Sequence, residues 1–212
     1  MGREFIELFD EWSTTYDHTV TGNEIEYREV FKNYDHILER VAELSHGHVL
    51  EFGSGTGNLT KKLLTLGYEV TAIEPSQAMR KIANEKLNGK VKIVDGDFLN
   101  FPKPEYVDSI VSTYAFHHLT NEEKTKAIDT FGRLLKSGGK LVFADTIFTT
   151  NDDHKKAIKE AKTEKFFTLA EDLQREYYTT IPFLQQILEI NDFQVSFHRC
   201  NRFVWIIEAL KV

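Results

Sequence analysis

The order of apolar and polar segments predicts an α/β fold: a doubly wound sheet, mostly parallel, ending in an antiparallel hairpin and preceded by a helical cap. Three observations carry this. Between residues 48 and 146 short apolar runs alternate with amphipathic helical patterns, as a parallel sheet covered by helices requires. A glycine turn, Gly53-Ser54-Gly55-Thr56-Gly57, joins the first run to its helix. Near the end, the runs at 193–198 and 203–210 are separated by too few residues for a crossover, so they must pair antiparallel.

The first strand is Val49-Leu50-Glu51-Phe52. After the glycine turn Leu59, Leu63, Leu64 and Leu66 recur at helical spacing, and Gly67 supplies the stop. Residues 69–73 form the second strand. Pro75-Ser76 opens a helix with an apolar face of Ala78, Met79, Ile82, Ala83 and Leu87, closed by Asn88-Gly89. Residues 91–94 and 107–113 supply the third and fourth strands. Thr120 with Glu123 makes a capping box for a helix carrying Ala127, Ile128, Phe131, Leu134 and Leu135. Gly138-Gly139 ends it, and residues 140–146 are the fifth strand. Residues 1–44 read as a mainly helical cap with an aromatic start (Phe5, Phe9, Trp12, Tyr16), and residues 147–191 as two or three more helices. The expected layout is one domain over 1–212, with its core at 45–146, a helical segment at 147–191 and a hairpin at 192–212. The helical segment, like the cap, is expected over the carboxyl ends of the strands, on the ligand side.

Composition narrows the function. With 212 residues, 41% hydrophobic and 28% charged, the chain can bury a sizeable core. A net charge of −7 argues against wrapping nucleic acid, which needs clustered Lys and Arg, and makes a small molecule the expected partner. Cys200, the single cysteine, excludes an intramolecular disulfide and a Cys-cluster zinc site. No apolar run approaches the ~20 residues of a membrane span, and the start lacks a signal-peptide pattern, so a cytoplasmic location is expected. His46-x-His48 has no third partner at recognisable spacing, and no metal is assigned. The lysines from Lys155 to Lys165 are interrupted by Asp152, Asp153, Glu160 and Glu164 and read as a solvated helix face.

A strand followed by Gly53-x-Gly55-x-Gly57 and a helix lets the backbone approach a ligand closely, although such turns also arise for steric reasons alone. The dinucleotide fingerprint G-x-G-x-x-G/A needs a small residue where Asn58 stands. Glu51, two residues before the first glycine, is disfavoured beside a pyrophosphate but useful near a cationic amino group. Both features weigh against an NAD(P)-dependent oxidoreductase.

The run from Val49 to Gly57, an acidic residue followed by G-x-G-x-G, resembles the first motif of class I S-adenosylmethionine-dependent methyltransferases. The resemblance extends to Glu74 after the second strand, Asp97-Phe98 after the third, and Tyr114-Ala115-Phe116-His117-His118-Leu119 after the fourth. Trp12-x-x-x-Tyr16-Asp17 looks like the opening of several small-molecule members, and the whole chain is similar to the YrrT group of bacterial methyltransferases. The resemblance implies a Rossmann-like fold, S-adenosyl-L-methionine as cofactor and a small-molecule methyl acceptor. In that setting Gly53, Gly55 and the Glu51 carboxylate belong to the cofactor site itself, and Glu74 accepts both ribose hydroxyls. Asp97 accepts from the adenine amino group, Phe98 packs on the ring, and Tyr16 closes over the methionine portion. Asp95-Gly96-Asp97 is also good turn chemistry, the less favoured reading of Asp97, while Tyr16 reads equally as a core aromatic. Methyl transfer from a sulfonium needs alignment more than a base; if a base is used, His117 is the candidate. A cofactor sensor without an acceptor site is the non-enzymatic alternative.

Overall fold

In the computed structural model, which describes residues 5–212, the first apolar run becomes β1 (His48–Phe52), buried at every position because it lies in the middle of the sheet. α4 (Asn58–Thr65), β2 (Glu69–Ile73), α5 (Gln77–Lys86), β3 (Lys92–Val94), β4 (Ser109–Thr113), α6 (Asn121–Leu134) and β5 (Lys140–Phe148) follow in alternation. The caps are as expected: the Ser76 hydroxyl accepts from the Met79 amide, and Thr120 and Glu123 form a reciprocal capping box. Before this core come α1 (Ile6–Trp12), α2 (Tyr16–His18), a π-helical turn over Thr19–Asn23, and α3 (Tyr34–Leu44). After it come α7 (Asn151–Thr163), α8 (Phe167–Arg175), β6 (Thr179–Thr180), α9 (Ile181–Ile190), β7 (Phe193–Arg199) and β8 (Val204–Lys211).

The sheet order is β3-β2-β1-β4-β5-β8-β7, and β6 adds a short parallel pair to β5. β1 to β5 are parallel, whereas β8 lies antiparallel between β5 and β7. This is a doubly wound, Rossmann-like sheet finished by an antiparallel hairpin. Strand order reverses at β1, with β2 on one side and β4 on the other, so a crevice opens at their carboxyl ends. One apolar core lies under α3, α4, α7 and α8, and a second, rich in Phe (Phe52, Phe98, Phe116, Phe131, Phe143), lies on the opposite face.

Several boundaries depart from the sequence reading. The third and fourth strands begin at Lys92 and Ser109, where their ladders start; Val91 and Val107 are buried apolar side chains ahead of those ladders. The cap is helical only in part. Left-handed backbone at Gly22 (φ 84°) and Asn33 (φ 65°) brackets a stretch of turns before α3. The cap expectation for residues 1–4 lies outside the described residues. Residues 151–190 hold three helices, and the two-residue β6 was too short to announce itself by alternation. The lysines of α7 are solvated, as expected.

Candidate functional site

At the carboxyl end of β1 the chain turns through Gly53 and Gly55, both left-handed (φ 64° and 54°). A Cβ on Gly53 would stand 2.6 Å from that of Ala115, so the glycine lets the loop after β4 close against the turn. A Cβ on Gly55 would meet nothing within 4 Å. Gly53→Ala is therefore expected to cost about 2–3 kcal/mol of stability, combining left-handed strain with overpacking. Gly55→Ala should cost only about 1 kcal/mol and act mainly on ligand affinity; urea unfolding and binding calorimetry separate the two effects.

Glu74, at the end of β2, is 4% exposed and bridges this turn to α5. Its Oε2 accepts from the Gly55 amide and its Oε1 from the Ser76 amide, both at 2.8 Å. Burial raises its carboxyl to about 7, against the opposing pull of those amides. Beyond β3, Asp97 Oδ1 accepts from the amides of Leu99 and Asn100 at 2.9 Å, so the turn chemistry read in the sequence is realised. Phe98 lies nearly parallel to Phe52, ring centroids 5.1 Å apart, and joins the aromatic core.

These residues converge. Gly53, Gly55, Glu74, Asp97 and Phe98 line one cavity with Tyr16, Phe9, Met79, Tyr114 and His118, enclosing about 70 Å³. Tyr114 has left-handed backbone (φ 54°), rare for a bulky residue, and its hydroxyl has no hydrogen-bond partner among the described residues. Glu51 does not line the cavity. It is buried behind the turn, where its Oε2 accepts from the Thr60 hydroxyl at 2.6 Å and burial raises its carboxyl to about 8. The fixed negative charge expected there is therefore largely absent at neutral pH.

The N-terminal segment roofs the cavity. Asp17 Oδ1 accepts from Thr56 Oγ1 (2.6 Å) and Asn58 Nδ2 (3.0 Å), while its Oδ2 pairs with Lys86 Nζ at 2.6 Å. Burial would raise this carboxyl, but the three donors outweigh it and hold it below its usual range. Tyr16 is hydrogen-bonded to Tyr34, and Ser76 donates to Asp10 Oδ1 at 2.5 Å. Asn58, read from the sequence only as a misfit to the dinucleotide pattern, thus anchors the cap.

The two histidines after β4 differ sharply. His117 faces away from the cavity: its Nδ1 lies 2.5 Å from Asp145 Oδ1 and its Nε2 3.3 Å from Glu176 Oε2. Burial alone would lower it, yet the two carboxylates raise it to about 10, so it is an imidazolium at neutral pH. A histidine with both ring nitrogens engaged and a bound proton is poorly placed as a base. His118 lines the cavity, packed against Phe9 with centroids 4.9 Å apart. Burial, then the neighbouring His117 charge, lowers it to about 3, so it is neutral. Asp145 and Glu176 gave no sequence signal, and Asp17, visible in the opening motif, gave none of its latching role, because the partners lie 28, 59 and 39 residues away. His48 is accounted for locally, with ring nitrogens 3.0 Å from Tyr106 O and Thr71 Oγ1.

Comparison with known proteins adds to this geometry. Residues 49–139 match a methyltransferase domain family. A protein of Bacillus thuringiensis described as an uncharacterized methyltransferase is 57% identical over 211 residues, with both chains fully covered. Among solved structures, magnesium protoporphyrin IX methyltransferase from Synechocystis, crystallised with SAH, superposes with a TM-score of 0.73 at 17% identity, covering 97% of this chain and 98% of that one. The DhpI–SAH complex gives a TM-score of 0.68 at 16% identity, covering 97% and 94%. Full-length identity to the Bacillus methyltransferase, the matched domain and the doubly wound sheet lead to one conclusion: the chain belongs to the class I S-adenosylmethionine-dependent methyltransferases.

Proposed function

We propose that this methyltransferase moves the methyl group of S-adenosyl-L-methionine onto a small acceptor by in-line displacement, inside the cavity at the carboxyl ends of β1 and β4. The observation that carries the reading is the convergence of the Gly53–Gly55 turn, Glu74 and Asp97–Phe98 on one cavity wall. The two ribose hydroxyls donate to Glu74, the only carboxylate joined to the glycine turn by an amide among the described residues. The adenine lies by Phe98 and Asp97, and the methionine portion runs along Gly53 beneath Tyr16. Glu51 supports the turn through Thr60 rather than touching the ligand.

A cavity of about 70 Å³ holds a few waters, not a nucleoside joined to an amino acid. Binding of the donor therefore requires lining side chains, Phe9 among them, to move aside. The small acceptor is placed beside Tyr114 and His118, which line the same cavity. The sulfonium already carries the activation, so alignment is the enzyme's main contribution. Neutral His118, rather than His117, borders the acceptor. Turnover with thiols, amines, carboxylic acids and hydroxylated aromatics is expected with one of these classes, alongside tight binding of the demethylated cofactor. Well-folded protein that binds neither the donor nor its demethylated product would refute the reading.

A further inference from the structure

We infer that His117, His118 and Glu176 form a binding site for one divalent transition-metal ion, Zn²⁺ by the chemistry of its donors, in the wall behind the cofactor cavity. The sequence concealed it, because Glu176 follows α8, far along the chain from the histidine pair. His117 Nε2 lies 3.3 Å from Glu176 Oε2, His118 Nδ1 lies 4.0 Å from Glu176 Oε1, and the three donor atoms fall within 4.8 Å of one another. A tetrahedral Zn²⁺ with bonds near 2.0–2.1 Å holds its donors about 3.4 Å apart, so small side-chain rotations complete the set.

Two further observations point to an ion. His118 is 8% exposed, yet its Nδ1 has no hydrogen-bond partner among the described residues and is directed at Glu176. An orphaned buried nitrogen is costly, and a metal would satisfy it. His117 Nδ1 is also held at 2.5 Å by Asp145, the carboxylate–imidazole arrangement that orients metal-bound histidines, and Tyr178 donates its hydroxyl to Glu176 Oε2 at 2.6 Å. Imidazole and carboxylate together suit zinc, and three protein ligands leave a fourth position for water or another small ligand. On binding, the ion replaces the proton that His117 Nε2 shares with Glu176. The site stands independently of where the methyl donor lies.

The test is titration of the chelator-stripped full chain with Zn²⁺ by calorimetry, and with Co²⁺ by visible absorption. The expected result is one ion per chain and the visible bands of tetrahedral Co²⁺. His118→Phe keeps a ring against Phe5 and Phe9 and should fold, but bind Zn²⁺ at least about tenfold more weakly; Asp145→Asn should weaken it by about 10–100-fold. If Asp145→Asn does not fold, the wild-type and His118→Phe titrations decide. A wild-type chain that binds no stoichiometric Zn²⁺, or a His118→Phe chain that binds it as tightly as wild type, overturns the site.

Discussion

Glu74→Gln is expected to weaken S-adenosylmethionine binding by about 100-fold or more. Two hydroxyls donating to a carboxylate are worth roughly 1.5–3 kcal/mol each, and an amide offers only one acceptor atom. Calorimetry measures the loss, with circular dichroism checking the fold, because Glu74 also receives the Gly55 and Ser76 amides. The pH dependence gives a second signature. In the free protein burial sets the Glu74 carboxyl at about 7, whereas the ribose hydroxyls and the sulfonium favour the ionised form. Binding must therefore release a proton below that value. Affinity should fall by up to about tenfold per pH unit on the acid side and level off above it, and Glu74→Gln should abolish the slope. Stability of the free protein runs the other way. Glu51 at about 8 and Glu74 at about 7 are raised above their unfolded values, so their contribution is fully present below about pH 4.5 and is lost as pH rises through 7 to 8.

Asp145→Asn should give the largest loss of stability. Asp145 is 3% exposed and is linked to His117 by both the ring and the backbone amide (2.5 and 2.9 Å). The substitution removes the nearer of two carboxylates and leaves the buried His117 imidazolium with Glu176 alone; breaking such a buried ion contact costs about 3–5 kcal/mol. For a chain of this size that lowers Tm by roughly 6–20 °C. Lys124 belongs to the same region: its buried ammonium donates to the Leu119 and Tyr177 carbonyls, fastening the turn after β4 to the segment after α8. The exposed pair Arg133–Asp129 is the control, since Asp129→Asn should change stability by less than about 0.5 kcal/mol. Equal effects of the two substitutions in thermal unfolding would show that Asp145 carries no special electrostatic role.

The contrast between these residues explains what could be read in the sequence. Strands, helix caps and the glycine turn are local devices: alternation, Ser76 before Met79, Thr120 with Glu123, and glycines at positive φ each leave a mark within a few residues. Glu74 and Asp97 stood out as candidates because they continue the methyltransferase motif pattern, Glu74 directly after β2 and Asp97 three residues past β3. The cap was less so, because its conformation between residues 24 and 33 depends on distant contacts, such as the bonds from Asn201 Nδ2 to the Val30 and Lys32 carbonyls. The histidine pair was visible, but not which member faces the cavity. That is decided by Asp145 and Glu176, carboxylates brought from β5 and from beyond α8. Glu51 was visible as a carboxyl but not as one raised by burial, since that shift arises only when Thr60 and the sheet close around it.

A crystal structure of the protein with S-adenosylhomocysteine decides whether the cofactor occupies the cavity at the carboxyl ends of β1 and β4. The nucleoside is expected in the cavity, with both ribose hydroxyls on Glu74, the adenine beside Phe98, and Phe9 displaced to admit the ligand. A ligand seated elsewhere in well-folded protein, or in the cavity with its ribose turned away from Glu74, would contradict this placement.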